Sequence, residues 1–206
     1  MKTIKIKLIV LGEHNVGKSS ILNRYKTKKF IKDNNSTIGV DFFNYTIIKN
    51  NIEYILHIWD TSGQEKFNSI ITTYYRNIAM VLLVFDISDK SSFKKLDKWF
   101  NNIDIYSNTN TIIKLIGNKC DKPKQITKDE INDLCESYKI DYIEVSAKNN
   151  INIDDIFINI INEIETKLIE NIIIPNKHNG IIESSNTIKL DNIKKHERNK
   201  KCCNIL

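Results

Sequence analysis

Apolar runs alternate with amphipathic stretches along the first 174 residues of the chain. Six short runs dominated by isoleucine, leucine, valine and aromatic residues predict β-strands at residues 4–11, 40–48, 53–59, 80–85, 112–116 and 142–145. Between and after these runs, apolar residues recur at helical spacing. They predict helices at about residues 19–26, 91–106, 128–138 and 151–169.

The order of these elements predicts an α/β fold. Strands that alternate with helices form a mostly parallel sheet with helices on both faces, and ligands bind where the strands end. The second and third strands differ, because they flank Lys49-Asn50-Asn51, a sequence suited to a hairpin turn. The periodicity stops after Ile174. Residues 1–174 are therefore predicted to form one domain, and residues 175–206 a flexible, disordered tail.

Composition and charge add a cellular setting to this fold. Hydrophobic residues make up 41% of the 206 residues, enough for one core, and the tail holds seven Lys or Arg against three Asp or Glu. A basic tail suits an anionic membrane or a nucleic acid, but it lacks interleaved aromatic residues, so we expect no nucleic acid partner. Neither a signal peptide nor a spanning run of about 20 apolar residues is predicted. The four cysteines have no zinc spacing, which favours a reduced cytosolic setting.

The first strand leads into a phosphate-binding motif. Gly12-Glu13-His14-Asn15-Val16-Gly17-Lys18-Ser19 fits G-x-x-x-x-G-K-[ST] between a buried strand and a helix, the context that the motif requires. Backbone N–H groups of this loop, together with that of Ser20, are expected to converge on phosphate oxygens. Lys18 is predicted to reach the β- and γ-phosphates, and the Ser19 hydroxyl to bind Mg²⁺. His14 is expected to contribute only its backbone.

ATPases, nucleotide kinases and GTPases all use this loop, and two later motifs favour guanine. One strand leads into Gly117-Asn118-Lys119-Cys120-Asp121 and the next into Ser146-Ala147-Lys148. A carboxylate at Asp121 can accept hydrogen bonds from N1–H and the exocyclic amine of guanine, a donor pair that adenine lacks. Lys119 can lie over the base, and the Ala147 N–H can bond guanine O6. Asn118, Ser146 and Lys148 complete the predicted base-binding set.

These motifs resemble those of a Ras-superfamily small GTPase over residues from about 5 to 169. Within that superfamily the chain resembles the Rab family in Ile38-Gly39-Val40-Asp41-Phe42, Leu56-His57-Ile58-Trp59-Asp60-Thr61, Gln64-Glu65-Lys66-Phe67, Tyr74-Tyr75-Arg76 and Leu83-Val84-Phe85-Asp86-Ile87-Ser88. The resemblance implies a P-loop NTPase G domain with a six-stranded sheet. It also implies a GTP/GDP switch that recruits effectors in vesicle trafficking, at the cytoplasmic face of an intracellular membrane and with a cytosolic pool.

The resemblance also assigns roles to residues around the phosphates. Asp60 ends a strand and is expected to hold Mg²⁺ through water. Thr37 would place its hydroxyl on Mg²⁺ and its N–H on the γ-phosphate, and Gly63 would offer a second N–H. Gln64 is the predicted catalytic residue, because it would orient the attacking water. Phe30 could pack on the edge of the base or serve the core, and the sequence does not decide between these roles.

The effector surface and three departures from the family pattern also follow from the resemblance. Ile38, Phe42, Trp59 and Tyr74 match the family's effector-binding residues, although a core role is possible for any one aromatic. Asn15 replaces a common glycine, and asparagine tolerates positive φ. Ser62 replaces an alanine, and Asn77-Ile78 replaces a pair of small residues.

Slow intrinsic hydrolysis, roughly 10⁻⁴ s⁻¹ in this class, implies an activating protein that supplies an arginine. The other partners implied are an exchange factor, a GDP-dissociation inhibitor, a prenyltransferase with its escort protein, and effectors, with a monomeric G domain. Two alternatives remain at this point. One is a membrane-anchored GTP-binding scaffold with little hydrolysis, and the other is a P-loop kinase, for which an arginine-bearing lid is missing.

The chain ends in Lys200-Lys201-Cys202-Cys203-Asn204-Ile205-Leu206. Cys203 begins a C-a-a-X box whose final leucine favours geranylgeranyl, and Cys202 offers a second lipid site. A single lipid anchors a protein only marginally, so two lipids, or one lipid with the lysines, would be needed. The sequence therefore predicts a lipid-anchored protein, without deciding whether one or both cysteines carry lipid.

Overall fold

The computed structural model describes residues 1–31, 37–63 and 72–185. The strands are β1 (Lys2–Leu11), β2 (Val40–Lys49), β3 (Ile52–Thr61), β4 (Met80–Asp86), β5 (Ile112–Asn118), β6 (Asp141–Glu144) and β7 (Ile181–Ser185). The helices are α1 (Lys18–Thr27), α2 (Lys90–Lys94), α3 (Leu96–Tyr106), α4 (Lys128–Tyr138) and α5 (Ile153–Ile169), with 3₁₀ turns at Thr72–Tyr75 and Lys177–Asn179. The predicted residues Gln64, Cys202 and Cys203 lie outside the described ranges.

The six predicted strands form one sheet in the order β2-β3-β1-β4-β5-β6. β2 runs antiparallel to β3, as the Lys49-Asn50-Asn51 turn predicts, and all other neighbours along this path are parallel. The α/β fold class is therefore confirmed. The predicted helix at residues 91–106 is two helices, since Lys95 ends α2 and precedes α3.

Two apolar layers hold helices against the two faces of the sheet. Alternate residues of β1 divide between them: Ile6 and Leu8 pack in one cluster with Phe157 of α5, while Ile9 and Leu11 pack in the other with Trp99 of α3. The strand ends at residues 11, 86 and 118 therefore lie along one edge of a sheet covered on both faces. Across the described ranges, no helix combines the length and apolarity needed to cross a membrane.

The prediction of a disordered tail from residue 175 is wrong for residues 175–185. Asn176 caps the 3₁₀ turn by accepting from the N–H groups of His178 and Asn179, and Gly180 reverses the chain with a φ of 72°. β7 then runs antiparallel to β1, with Ile181 opposite Ile6 and fully buried. The sheet thus has seven strands. The pairing joins residues about 175 positions apart, so no local sequence pattern indicates it.

Candidate nucleotide-binding site

The loop between β1 and α1 has the backbone that a phosphate cradle requires. Gly12 and Gly17 have φ values of 134° and 95°, and Asn15 adopts the left-handed conformation at 64°. A Cβ at Gly12 would lie 2.0 Å from the Val84 carbonyl oxygen, and one at Gly17 would lie 2.3 Å from Asn118 Nδ2. Both glycines are therefore required by space as well as by conformation.

Lys18 carries its charge into the centre of this loop. The residue is 6% exposed, and its Nζ donates to the carbonyl oxygens of Gly12 and Glu13, each at 2.8 Å. Burial lowers the pKa of Lys18 to about 8, against the opposing influence of Asp60. Among the described residues, the hydrogen-bond partners of this buried cation are two uncharged carbonyl oxygens, so a phosphate would supply its counter-charge.

Three oxygen-bearing side chains meet beside Lys18. Ser19 Oγ lies 2.7 Å from Thr37 Oγ1 and donates to Asp60 Oδ2. Asp60 Oδ1 is buried and has no hydrogen-bond partner among the described residues, and burial raises the pKa of Asp60 to about 6. Two hydroxyls and an unsatisfied carboxylate oxygen are hard donors, so these residues fit Mg²⁺.

The two base-reading motifs are fastened to the phosphate loop. Asn118 Nδ2 donates to the Val16 carbonyl oxygen at 2.8 Å, and Asn118 Oδ1 accepts from the Ala147 N–H at 3.3 Å. Lys119 Nζ donates to the Asn15 carbonyl oxygen at 2.6 Å and pairs with Asp86 at 2.7 Å. Asn118 and Lys119 therefore set the distance between the phosphate end and the base end of the site.

Asp121 is held at the base end in a fixed orientation. Its side chain is 6% exposed, and its Oδ1 accepts from Ser146 Oγ at 2.5 Å. Lys148 Nζ lies 3.9 Å from the other carboxylate oxygen. The Asn149 N–H donates to Ser146 Oγ at 3.0 Å, which fixes that hydroxyl in turn. The carboxylate is thus desolvated and oriented, as selective hydrogen bonding requires.

One cavity of about 530 Å³ connects these groups. Its lining includes the predicted His14, Asn15, Gly17, Lys18, Ser19, Ser20, Phe30, Thr37, Gly63, Asn118, Lys119, Asp121, Ala147 and Lys148. Thr61, Ser62 and Lys122 also line it and were not predicted, although each adjoins a motif residue. The predicted Gly12, Glu13, Val16, Asp60 and Ser146 do not line the cavity. Phe30 is 39% exposed at its wall, which fits a contact with the base better than a place in the core.

Glu13 points away from the cavity. Its carboxylate accepts from Lys95 Nζ at 2.9 Å and from the indole N–H of Trp99 at 3.2 Å. The predicted contribution of Glu13 to nucleotide binding can therefore come only from its backbone. Its side chain instead ties the phosphate loop to the start of α3, a long-range contact that the motif does not reveal.

Gly63 lies directly against the phosphate loop. A Cβ at this position would be 2.3 Å from the Glu13 carbonyl carbon and 2.3 Å from the His14 nitrogen. No side chain fits there without moving the loop. The close approach explains why glycine stands at the point where the chain after β3 reaches the phosphate end of the cavity.

Three of the predicted effector residues, Phe42 of β2, Trp59 of β3 and Tyr74 of the 3₁₀ turn, form a row of rings, and Ile38 lies just before β2. Ile38 is 83% exposed and Phe42 is 46% exposed. The ring of Phe42 lies 4.7 Å from that of Trp59, which in turn lies 6.2 Å from Tyr74, both measured between centroids. Trp59 and Tyr74 also pack partly against the core cluster around Ile9, so they combine core and surface contacts.

Comparisons with known proteins agree with this geometry. The model of the Ras family matches residues 7–166. GTP-binding protein ypt2 of Schizosaccharomyces pombe is 35% identical over 200 residues, which cover 96% of each chain. Ras-related protein SEC4 of Candida albicans is 36% identical over 167 residues, or 80% of each chain. Ras-related protein Rab-8B of Dictyostelium discoideum is 37% identical over 167 residues, which cover 80% of this chain and 82% of that protein.

The chain belongs to the Ras family and is a small GTPase of the Rab group. It is a switch that binds GTP and hydrolyses it to GDP and phosphate. Rab proteins act in vesicle trafficking, so this is the process in which the switch works. Membership of this group does not favour the alternative of a scaffold with little hydrolysis.

Proposed function

We propose that this GTPase is a magnesium-dependent Rab switch, anchored by lipid to the cytoplasmic face of an intracellular membrane and exchanging with a cytosolic pool. The observation that carries the nucleotide assignment is the continuous cavity from Lys18 to Asp121. At one end the cavity has a buried cation beside three oxygen donors, and at the other a buried carboxylate. A guanine nucleotide has complementary groups at both of its ends.

The phosphate end of the proposed site works through placement and charge. Loop N–H groups and Lys18 bind the β- and γ-phosphates, while the N–H groups of Thr37 and Gly63 hold the γ-phosphate. Mg²⁺ would be held by the hydroxyls of Ser19 and Thr37 and, through water, by Asp60. There it would neutralise phosphate charge as the terminal phosphate leaves. Loss of that phosphate removes the contacts to Thr37 and Gly63 and releases both segments, which is the switch.

The base end selects the nucleotide. Asp121 accepts from N1–H and the exocyclic amine of guanine, and the Ala147 N–H shares its hydrogen between O6 and Asn118 Oδ1, which lies 3.3 Å away. Asn118, Ser146 and Lys148 hold these groups in position, while Lys119 and Phe30 pack against the base. Because Asp121 is desolvated, a base without the two donors would leave it unpaired, and such sites reject the wrong ligand strongly.

Several partners follow from a slow, nucleotide-dependent switch. An exchange factor would open the site, and an activating protein would supply the arginine that speeds hydrolysis. Effectors would bind Ile38, Phe42, Trp59 and Tyr74 in the GTP state. A prenyltransferase with its escort protein would modify Cys202 and Cys203, and a GDP-dissociation inhibitor would carry the lipidated protein through the cytosol.

Gln64→Leu tests the proposed catalytic residue. Leucine has similar bulk but cannot orient water, so we expect GTP affinity within about twofold of wild type and single-turnover hydrolysis slowed by about tenfold or more. The rate of single-turnover hydrolysis is measured by rapid filtration, once without an activating protein and once with it. If the variant hydrolyses GTP at the intrinsic rate of wild type, a group other than Gln64 orients the attacking water. A loss of the intrinsic rate alone would show that the activating protein supplies its own catalytic group.

Cys202→Ser with Cys203→Ser tests the lipid anchor. The doubly substituted protein is expected in the soluble fraction of cells, with GTP binding and hydrolysis unchanged, because the described residues that line the cavity all lie between residues 14 and 148. Single substitutions distinguish a C-a-a-X box, in which Cys203 matters more, from a double-cysteine substrate, in which losses are equal. Full membrane retention of the double variant would rule out lipid as the anchor.

A further inference from the structure

Arg24 of α1 lies outside the lining of the cavity and binds the loop that carries Ala147 and Lys148. Its Nε donates to the Ala147 carbonyl oxygen and its Nη2 to the Lys148 carbonyl oxygen, both at 2.6 Å. Its Nη1 donates to the Lys28 carbonyl oxygen at 2.8 Å, at the end of its own helix. The planar guanidinium is thereby held on three sides, and two of the three acceptors belong to consecutive residues of the base-reading loop.

The same guanidinium supports the other wall of the base pocket. Its central carbon lies 5.8 Å from the ring centroid of Phe30, within the range of a cation–π contact. A second link lies beside it, since Lys28 pairs with Asp154 at the start of α5. Arg24 therefore connects Phe30 on one side of the base pocket with Ala147 and Lys148 on the other.

The hydrogen bond to the Ala147 carbonyl has a consequence for the Ala147 N–H. The N–H and C=O of Ala147 belong to adjacent peptide planes, which are joined by the rotatable φ and ψ of that residue. Arg24 fixes the carbonyl plane, and Asn118 Oδ1 accepts from the N–H of the other plane at 3.3 Å, so together they restrict how the N–H can turn. Fastening the neighbouring Lys148 carbonyl as well restrains the loop at two successive points. The Ala147 N–H is the group proposed above to meet guanine O6, and Arg24 itself does not line the cavity.

We propose that Arg24 is a positioning residue that determines how long the guanine base stays bound, because it holds the base-reading loop and Phe30 in fixed positions relative to each other. This inference rests on the proposed roles of Ala147 and Phe30. Hydrogen bonds to a charged donor are stronger than neutral ones, and two of them act on one short loop. We therefore expect loss of the guanidinium to accelerate nucleotide release while leaving the phosphate end of the site intact.

The test is dissociation of fluorescent GDP from the full chain carrying Arg24→Ala, Arg24→Lys or Arg24→Gln. Arg24→Ala is expected to release GDP about 10- to 100-fold faster than wild type. Arg24→Lys keeps the positive charge but lacks the planar set of N–H donors of the guanidinium, so its release rate is expected to be intermediate. Single-turnover hydrolysis of bound GTP should stay within about twofold. Lys26→Ala is the matched control, because Lys26 lies on the same helix but over the ring of Phe43, away from the cavity.

A second readout separates positioning from general loosening of the fold. 6-Thio-GDP keeps N1–H and the exocyclic amine but offers a poor acceptor in place of O6. The preference of wild type for GDP over 6-thio-GDP should shrink in Arg24→Ala and recover partly in Arg24→Lys. Release rates within twofold of wild type in all three variants, or faster release with an unchanged preference, would overturn the inference. Failure of wild type to prefer GDP over ADP would instead overturn the base-site assignment itself.

Discussion

The Asp121→Asn variant is expected to lose its preference for guanine and to bind xanthine nucleotides instead. The amide presents an N–H donor where the carboxylate presents an acceptor. The 2-amino group of guanine, itself a donor, would then face the amide N–H without a hydrogen bond, whereas the carbonyl at position 2 of xanthine would accept from it. Ser146 Oγ lies 2.5 Å from Asp121 Oδ1 and can donate to the amide oxygen, so the new side chain fits the same place. The ratio of GTP to XTP affinity should fall by about 10⁴-fold or more.

Competition of unlabelled GTP and XTP against a fluorescent nucleotide measures this ratio. Lys122→Ala is the control, because Lys122 lines the same cavity but has no proposed contact with the edge of the base. Its GTP preference should match that of wild type. An Asp121→Asn protein that still selects GTP would show that another group reads the base.

The second expected result concerns Lys18→Met, which should weaken nucleotide binding while stabilising the nucleotide-free protein. Methionine fills much of the volume of the buried side chain but removes the charge that meets the phosphates. Removing one partner of a buried pair costs about 3–5 kcal/mol, which corresponds to roughly 150- to 4,000-fold in GDP affinity. Isothermal titration with GDP in excess Mg²⁺ measures this loss. Affinity close to that of wild type would exclude the proposed contact.

The gain in stability has a definite pH dependence. The pKa of Lys18 is about 8 in the fold, below its ordinary value of 10.5, so burial of its charge opposes folding. This cost is fully present below pH 8 and is relieved as pH rises from 8 toward 10.5, where the unfolded chain binds more protons. Nucleotide-free Lys18→Met should therefore melt above nucleotide-free wild type at pH 7, and the difference should narrow by pH 10. A lower melting temperature for the variant at pH 7 would contradict the buried-charge argument.

Local sequence predicts the phosphate loop because the chemistry of that loop is largely backbone chemistry. The phosphate loop needs glycines with positive φ between a strand and a helix, and the eight consecutive residues 12–19 contain them at the required spacing. The departure at Asn15 was tolerable on the same grounds, and its φ of 64° confirms the expectation. The sheet order also follows from alternation of elements and from one hairpin turn.

The contacts that the sequence does not predict all join distant segments. Arg24 lies 123 residues from Ala147, Glu13 lies 86 residues from Trp99, and β7 pairs with the first strand of the chain. Each depends on which side chains the finished fold brings together. Five residues with one buried isoleucine carry too weak a periodic signal to predict a strand, so the segment containing β7 was expected to be disordered.

The pairing of β7 with β1 shortens the tether between the domain and the proposed lipid anchor. With β7 paired to β1, the proposed tether begins after Ser185 rather than after Ile174, so 16 residues instead of 27 precede Cys202. The greatest span of the tether falls from about 92 Å to about 54 Å at roughly 3.4 Å per residue. For a flexible chain, effective concentration scales as about the −3/2 power of length, so an anchored domain would meet membrane-bound partners at about twice the concentration. Ser185 lies beside Lys2, at the opposite end of β1 from the phosphate loop. The anchor would thus attach to the end of the domain opposite the nucleotide-binding site. The nucleotide-binding end would then face the cytosol.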